Sequence, residues 1–272
     1  MEYLKNLFNL KDKVVIITGG AGLLGRQYAN ALANLGAAPV IADMDGALAA
    51  RIAGELEKKY NTKVRGFHVD VASKKSLEDC RDKVIAEFGR VDVLINNAGI
   101  SGKVDDKNIA PDFEEYPLLE WEKALSVNIT GMFLAAQVFG REMVKQGSGA
   151  VVNVSSIYGI LSPDQRIYER EGASKNFIKP VSYSVSKSAV LNLTRYLATY
   201  WAGKGIRVNT LTPGGVFDNQ DADFVKRYSE RTPMGRMANP EDMVGPMLFL
   251  ASDASKYMTG ANLIVDGGWS AW

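Results

Sequence analysis

Residues 151–190, VVNVSSIYGILSPDQRIYEREGASKNFIKPVSYSVSKSAV, bring Ser155, Ser156, three tyrosines and Lys187 together around a polar run with no clear period. A phenol and an ammonium four residues apart on a helix share one face, and the ammonium favours the phenolate. A free phenol titrates near 10, so bringing it to about 7 takes about 4 kcal/mol of selective phenolate stabilisation. The single histidine, His68, sits at a strand end (VRGFHVDV), where a packed side chain is the plain reading, which leaves tyrosine as the natural proton carrier. Two Tyr-x-x-x-Lys pairs occur, Tyr183/Lys187 and Tyr200/Lys204. The second lies where a helix runs out into AGKG, toward the amino end of the next strand. The first opens a helix just after a strand that ends in Ser155-Ser156, so context selects Tyr183 and Lys187.

A second constellation stands at the other end of the chain. The apolar run VVIIT (14–18) leads into TGGAGLLG (18–25) and then a helical pattern. Gly19, Gly22 and Gly25 let backbone N–H groups approach a pyrophosphate at a helix N-terminus. In a chain with 26 glycines the spacing alone is weak, but its place between strand and helix predicts a dinucleotide site that includes Leu23 and Leu24. Asp43 closes the next strand and is followed by Met44. A carboxylate there accepts hydrogen bonds from a ribose 2′-OH and repels a 2′-phosphate, and no Arg or Lys lies between Thr18 and Gly25. NAD is therefore expected over NADP, with Asp45 the better cap for the following helix. Such a cofactor needs a partner group that takes or gives an alcohol proton while hydride moves, and Tyr183 fits that need.

The elements that must position these groups alternate. Short β-branched runs at 14–18, 39–43, 64–69, 91–96, 150–155, 206–211 and 262–266 are separated by amphipathic stretches at 23–35, 45–60, 73–88, 119–146, 181–203 and 240–252. Strands apolar at nearly every position between helices indicate a parallel sheet covered on both faces, a doubly wound Rossmann-type α/β fold. The loops after the strands' carboxyl ends should converge on one crevice. At 272 residues and 46% hydrophobic content, one domain spanning 1–272 is expected. Thirty-two basic against 31 acidic residues give a net charge of +1, which implies no general attraction to nucleic acid or anionic lipid. No run is long enough for a membrane span and no signal peptide opens the chain, so a cytoplasmic protein is expected. One histidine and one cysteine, Cys80, cannot supply a zinc site, and no metal is expected; Cys80 in SLEDCRDKVIAEF reads as a packed thiol.

With these motifs in order, the sequence resembles the short-chain dehydrogenase/reductase family, single-domain branch, over essentially its whole length. The matching residues are the Gly-rich turn, Asp70-Val71, the NNAG run at 96–99, Asn128 in LSVNITG, Ser156 in VNVSSIYG, YSVSK at 183–187, and Asn209 through Pro213-Gly214. The resemblance implies Tyr183 as general acid/base, Lys187 holding the nicotinamide ribose and lowering the Tyr183 pKa, Ser156 binding the substrate oxygen and Asn128 holding a water in a proton relay. Ser156 is preferred to Ser155 because the family places its serine three residues before a glycine, here Gly159. The resemblance also implies Asp70 and Val71 beside the adenine, Asn97, Ala98 and Gly99 on the cofactor floor, Pro213-Gly214 at the turn, and the Val216 backbone at the carboxamide. Asn128 also reads as a buried amide tying elements together, and both roles coexist in the family.

Three departures stand out. The turn carries its second glycine one position early, at Gly22. Asp218 stands where relatives often have a threonine. Ser156 and Tyr183 are 27 positions apart, about twice the family's gap, so the segment 160–180 reads as an insertion bordering the substrate, with a solvated flap as the alternative. Its Asp164, Gln165, Arg166, Glu169, Arg170, Glu171, Lys175, Asn176 and Lys179 suit a hydroxylated or anionic substrate such as a sugar, sugar acid or nucleotide-linked sugar. SSIYGILSPDQRIYE also resembles bacterial relatives associated with flagellin-glycan and nonulosonic acid pathways. The expected activity is NAD-dependent interconversion of a secondary alcohol and a ketone; a 3-oxoacyl thioester reductase and a non-catalytic dinucleotide sensor or scaffold are the alternatives. The resemblance implies a homotetramer or homodimer through helices 119–146 and 181–203. The terminal DGGWSAW suggests tryptophans buried against a neighbouring subunit or over the pocket.

Overall fold

The computed structural model describes residues 6–101, 112–169 and 177–272. Seven parallel strands form one sheet in the order β3-β2-β1-β4-β5-β6-β7: β1 Val14–Thr18, β2 Ala38–Asp43, β3 Arg65–His68, β4 Val93–Asn96, β5 Gly149–Val154, β6 Ile206–Pro213 and β7 Asn262–Val265. The expected doubly wound α/β domain is what the chain forms. The strand order reverses between β1 and β4, and ligands in such sheets bind beyond the carboxyl ends of the strands at that crossover.

Strand alternation divides the apolar residues between two layers. Val15, Ile17, Ile41, Ile95 and Val152 face α1 (Leu23–Asn34), α2 (Gly46–Tyr60) and α8 (Val244–Ala251), whereas Val14, Ile16, Val40, Leu94 and Val151 face α3 (Lys74–Phe88), α5 (Gly131–Gln146) and α6 (Val181–Trp201). Cys80 belongs to the second layer, and burial pushes its thiol up to about 12, so it stays protonated.

Two departures from the sequence reading matter for the site. The stretch read as one helix over 119–146 divides into α4 (Leu118–Leu125), a π-helical turn (Ser126–Thr130) and α5. The wide turn carries Asn128 inward, a distortion common at functional sites. A helix not foreseen, α7 (Ala222–Arg231), begins at Asp221, whose side chain accepts from the Phe224 N–H at 2.9 Å. It buries Phe224 and Tyr228 in a third cluster with Ile157, Tyr158, Ile167, Tyr168, Phe177, Met237 and Trp269.

A buried polar chain fixes α6 to the sheet. Asn96 Nδ2 donates to Asn153 Oδ1 at 2.9 Å, Asn153 Nδ2 to Thr194 Oγ1 at 2.9 Å, and Thr210 Oγ1 to Thr194 Oγ1 at 2.7 Å. The bonds cross β4, β5, α6 and β6, so sliding α6 would strand several buried polar groups at once. That constraint sets the height of Tyr183 above the strand ends.

Candidate active site

Beyond the carboxyl ends of β1, β4, β5 and β6 lies a cavity of about 360 Å³. Leu23, Leu24, Asn97, Gly99, Pro213, Gly214 and Val216 line one part of it, and Ser156, Tyr158, Tyr168, Lys179, Tyr183, Lys187, Phe224 and Tyr228 the other. A larger cavity of about 600 Å³, at the strands' amino ends, is lined by Lys13, Asp92 and Arg207 among others. There Lys13 and Arg90 share Asp92, and Arg207 is spent on Leu250 O, Ser252 O and Ser255 Oγ. Its charges are committed, so the chemistry lies in the smaller cavity.

The Gly-rich turn is held by close contacts. Gly19 has φ +61°, and a Cβ there would meet Ala98 Cα at 2.8 Å; one on Gly25 would meet Gly19 O at 2.3 Å. A Cβ on Gly22 would meet only Gly19 O, at 3.2 Å. Gly22 caps α1 without a side chain, so the first-turn N–H groups stay open to an anion. Asn97 Nδ2 donates to Thr18 O and Gly19 O, tying the loop after β4 to the turn. The Asp43 carboxylate accepts from Ala21 N–H at 2.9 Å and Asp45 N–H at 3.0 Å, which holds it beside the turn with lone pairs to spare; Asp45 caps α2 through Leu48 N–H. Met44 is exposed beside it. His68 donates from Nδ1 to Met44 O at 2.7 Å, supporting that loop from an exposed position. Asp70 holds Ala72 N–H at 2.9 Å and Val71 packs under Gly131, where any side chain would clash. This wall fits a dinucleotide: the cradle has no room for side chains at Gly19 and Gly25, and its open N–H groups and placed carboxylate match a pyrophosphate and a ribose.

The proton-active groups stand at the head of α6. Tyr183 and Ser156 line the same cavity; burial holds the phenol above its ordinary value, and the Ser156 hydroxyl pulls it back in part. Lys187 Nζ lies 6.0 Å from the centre of the Tyr183 ring and donates to Val154 O at 2.9 Å. Burial first, and then the neighbouring Lys179, lowers Lys187 to about 8. The sequence reading has Lys187 making the tyrosine acidic, whereas in the protein alone burial of the phenol prevails and the pKa is raised. Ser155 and Ser156 both line the cavity, but their hydroxyls differ: Ser155 Oγ donates to Lys187 O at 2.7 Å, while Ser156 Oγ accepts from Tyr158 N–H at 3.2 Å and keeps its own proton to give. Asn128 is fully buried behind Lys187. Its Oδ1 accepts from Ile100 N–H at 2.8 Å, and its Nδ2 donates to Ile100 O and Ser186 Oγ, both at 3.0 Å. The Val216 carbonyl accepts from Gln220, and among the described residues its N–H has no partner.

The wall facing the tyrosine differs from the sequence expectation. The segment 160–180 is no solvated flap where it is described: Ile167, Tyr168 and Phe177 are buried against α7, with Tyr168 stacked on Phe224 at 5.2 Å between ring centres. Of its polar residues, Asp164 binds both Arg166 and Arg231 and caps the turn Gln165–Tyr168, and Glu169 is exposed. Among the described ones, Lys179 alone lines the cavity. Arg170, Glu171, Lys175 and Asn176 lie outside the described residues. Sequence reasoning missed Tyr158, Tyr168, Phe224 and Tyr228, because nothing local marks which aromatic residues meet across the fold. Trp269 stacks on Tyr228 at 4.2 Å, whereas Trp272 stays exposed. Tyr200 and Lys204 contact each other at 4.5 Å away from the cavity.

The family profile described as enoyl-(acyl carrier protein) reductase matches residues 20–270. The D-threitol dehydrogenase of Mycolicibacterium smegmatis is 35% identical over 275 residues, covering 97% of this chain and 95% of that one. A short-chain dehydrogenase of Leptospira borgpetersenii with bound NAD+ superposes with a TM-score of 0.83 at 34% identity, over 96% of this chain and 94% of that chain. A gluconate 5-dehydrogenase of Burkholderia cenocepacia in complex with NADP and tartrate gives 0.83 at 30% identity, over 98% of each. The chain belongs to the short-chain dehydrogenase/reductase family, and it is an NAD(P)-binding oxidoreductase. Among the described residues no helix is long and apolar enough to cross a membrane.

Proposed function

We propose that the protein is an NAD-dependent oxidoreductase that interconverts a secondary alcohol and a ketone on a polar, sugar-like substrate. The observation that carries this reading is the Tyr183 phenol, beside Ser156 and backed by Lys187, on the wall of a cavity that also contains the open end of α1 and the Asn97-Gly99 floor. The nicotinamide, when bound, supplies hydride acceptance and donation and, oxidised, a positive charge. Gly19, Gly22, Leu23, Leu24 and Gly25 would cradle the pyrophosphate, with Asp70, Val71 and Ala98 along the dinucleotide's length and Pro213-Gly214 and Val216 at its nicotinamide end. Asp43 favours NAD because a 2′-phosphate would meet its carboxylate. Tyr183 takes the alcohol proton in oxidation and returns it in reduction, Ser156 holds the reacting oxygen, and Lys187 compensates the phenolate. Asn128 fixes the loop at Ile100 and the head of α6, keeping Lys187 in line. The polar substrate follows from a lining that mixes phenols, Lys179, Asp218 and Gln220, and D-threitol dehydrogenase is a relative with a polyol in its name. Exposed Leu118, Leu119 and Phe133 along α4 and α5, with Val185, Tyr196 and Tyr200 on α6, support a homotetramer or homodimer, and the charge balance and reduced Cys80 suit the cytoplasm.

A spectrophotometric screen at 340 nm of polyols, sugar acids and nucleotide sugars with both cofactors tests this reading. Turnover with NAD and a hydroxylated substrate is expected, and Tyr183→Phe should lower kcat by roughly 10³-fold or more with NADH affinity kept. Turnover confined to 3-oxoacyl thioesters with NADPH would instead support the 3-oxoacyl thioester reductase reading, an activity that a relative from Aquifex aeolicus carries in its name.

A further inference from the structure

Of the five described charged or amide side chains in the segment between Ser156 and Tyr183, Lys179 alone reaches the cavity. Its backbone is clamped on both sides by one amide: Gln165 Oε1 accepts from Lys179 N–H at 2.9 Å, and Gln165 Nε2 reaches Lys179 O at 3.4 Å. The clamp sends the side chain over the Tyr183 ring, with Nζ 4.4 Å from its centre. Among the described residues no carboxylate pairs with this ammonium. The nearby acidic group, Asp164, is taken by Arg166 and Arg231, and Arg227 is held by Ile167 O. Asp218 stands exposed on the lining without an ion pair to Lys179.

A half-buried ammonium with no counter-ion among the described residues is a costly arrangement, and contact with one aromatic face offsets only part of the lost hydration. Lost hydration lowers Lys179 to about 8, and the same ammonium adds to the lowering of Lys187. An anion entering between the two relieves both penalties. The cavity that Lys179 lines also carries the phenols of Tyr158, Tyr168, Tyr183 and Tyr228, which can hydrogen-bond a polyol but add no positive charge. A single ammonium point charge beside aromatic walls suits a singly charged carboxylate; a phosphate dianion usually draws a guanidinium fork or several N–H donors.

We infer that Lys179 is a specificity residue that receives a substrate carboxylate close to the reacting carbinol, so that the substrate is a sugar acid rather than a neutral sugar. The inference rests on the proposed polar-alcohol oxidoreductase reading and names its substrate class. Because Nζ sits over the same ring whose hydroxyl meets the reacting oxygen, carboxylate and carbinol must be only a few bonds apart. Long acids with the reacting carbon at the far end are poor candidates.

The test is steady-state kinetics with NAD+ on matched sets of four- to six-carbon aldonates, alditols and alditol phosphates, for the native protein and for Lys179→Met, Lys179→Gln and Lys179→Arg. An aldonate should exceed its alditol in kcat/KM by at least about tenfold. Lys179→Met and Lys179→Gln should erase that preference by raising KM for the acid about tenfold while KM for the alditol moves less than about threefold, and Lys179→Arg should restore part of it. Preference for alditols or phosphates in the native protein, or equal losses on acid and alditol in both neutral variants, overturns the assignment and leaves the oxidoreductase reading standing. No turnover of any member with NAD or NADP removes both.

Discussion

On the cofactor side of the crevice, polar groups are fastened by the backbone and glycines leave no spare volume: Asp43 on two N–H groups, Asn97 on two carbonyls, Gly25 against Gly19 O. The opposite side is made of side chains alone. There Tyr158 and Tyr168 share a hydrogen bond of 2.9 Å, with burial pushing Tyr158 up to about 12, and the buried Lys187 and half-buried Lys179 have no carboxylate partner among the described residues. The first wall is a consequence of the βαβ turn and serves any substrate. The second carries Lys179 without a carboxylate partner among the described residues, and on the inference drawn above it is the wall that selects the substrate.

The sharpest way to break the contrast is to crowd the first wall. Gly25→Ala places a methyl group 2.3 Å from a backbone oxygen, so the turn itself must open. Cofactor affinity should fall by a thousandfold or more, about 4 kcal/mol, as measured by NADH fluorescence titration. Gly22→Ala, where the added carbon meets one atom at 3.2 Å and φ is −76°, should leave the melting temperature nearly unchanged and weaken NADH less. Equal effects at the two glycines would show that backbone packing does not set this wall.

The same contrast explains what the sequence discloses. Strands such as Val14–Thr18 are buried on both sides and read as unbroken apolar runs, and a turn that tolerates no side chain announces itself by its glycines. Tyr183 and Lys187 are local on one helix, so their spacing carries their geometry. The roof is otherwise: Tyr168 meets Phe224, and Asp164 meets Arg231, across more than fifty residues of chain, with no period linking them. A charged composition at 163–180 suggests a polar lining, but Asp164 and Arg166 turn to each other and to Arg231, and Ile167, Tyr168 and Phe177 go inward. Composition gives an inventory of charges; only packing says which of them remain uncommitted.

An intermediate effect comes from loosening the second wall. Phe224 touches Tyr168 and Tyr228 at the centre of the third cluster. Phe224→Ala should cost about 3 kcal/mol of local stability, roughly a hundredfold in the opening constant, seen as faster hydrogen exchange over 157–169. Substrate KM should rise while NADH affinity holds within about threefold. Parallel losses of both would mean that the walls are one cooperative unit.

The smallest effect concerns charge, and its sign follows from burial. Lys187 is lowered from 10.5 to about 8 in the folded chain. In the unfolded chain the lysine keeps its proton until about 10.4, so between pH 8 and 9.5 the unfolded state binds more protons and stability rises with pH. The burial penalty is full below pH 8 and disappears as the amine deprotonates. The phenols act in the opposite direction but later: raised above 10 in the fold, they remove stability only once the unfolded tyrosines begin to ionise, so pH 9.5 bounds the useful window. Between pH 7 and 9.5 urea unfolding should show a gain of about 1–2 kcal/mol from Lys187. Lys187→Met should abolish that part of the slope, while near pH 7 its net stability changes little, because relief of the buried charge is offset by leaving Val154 O without its donor. A slope unchanged in the variant would place the uncompensated charge elsewhere, and with it the reason the second wall needs an anion.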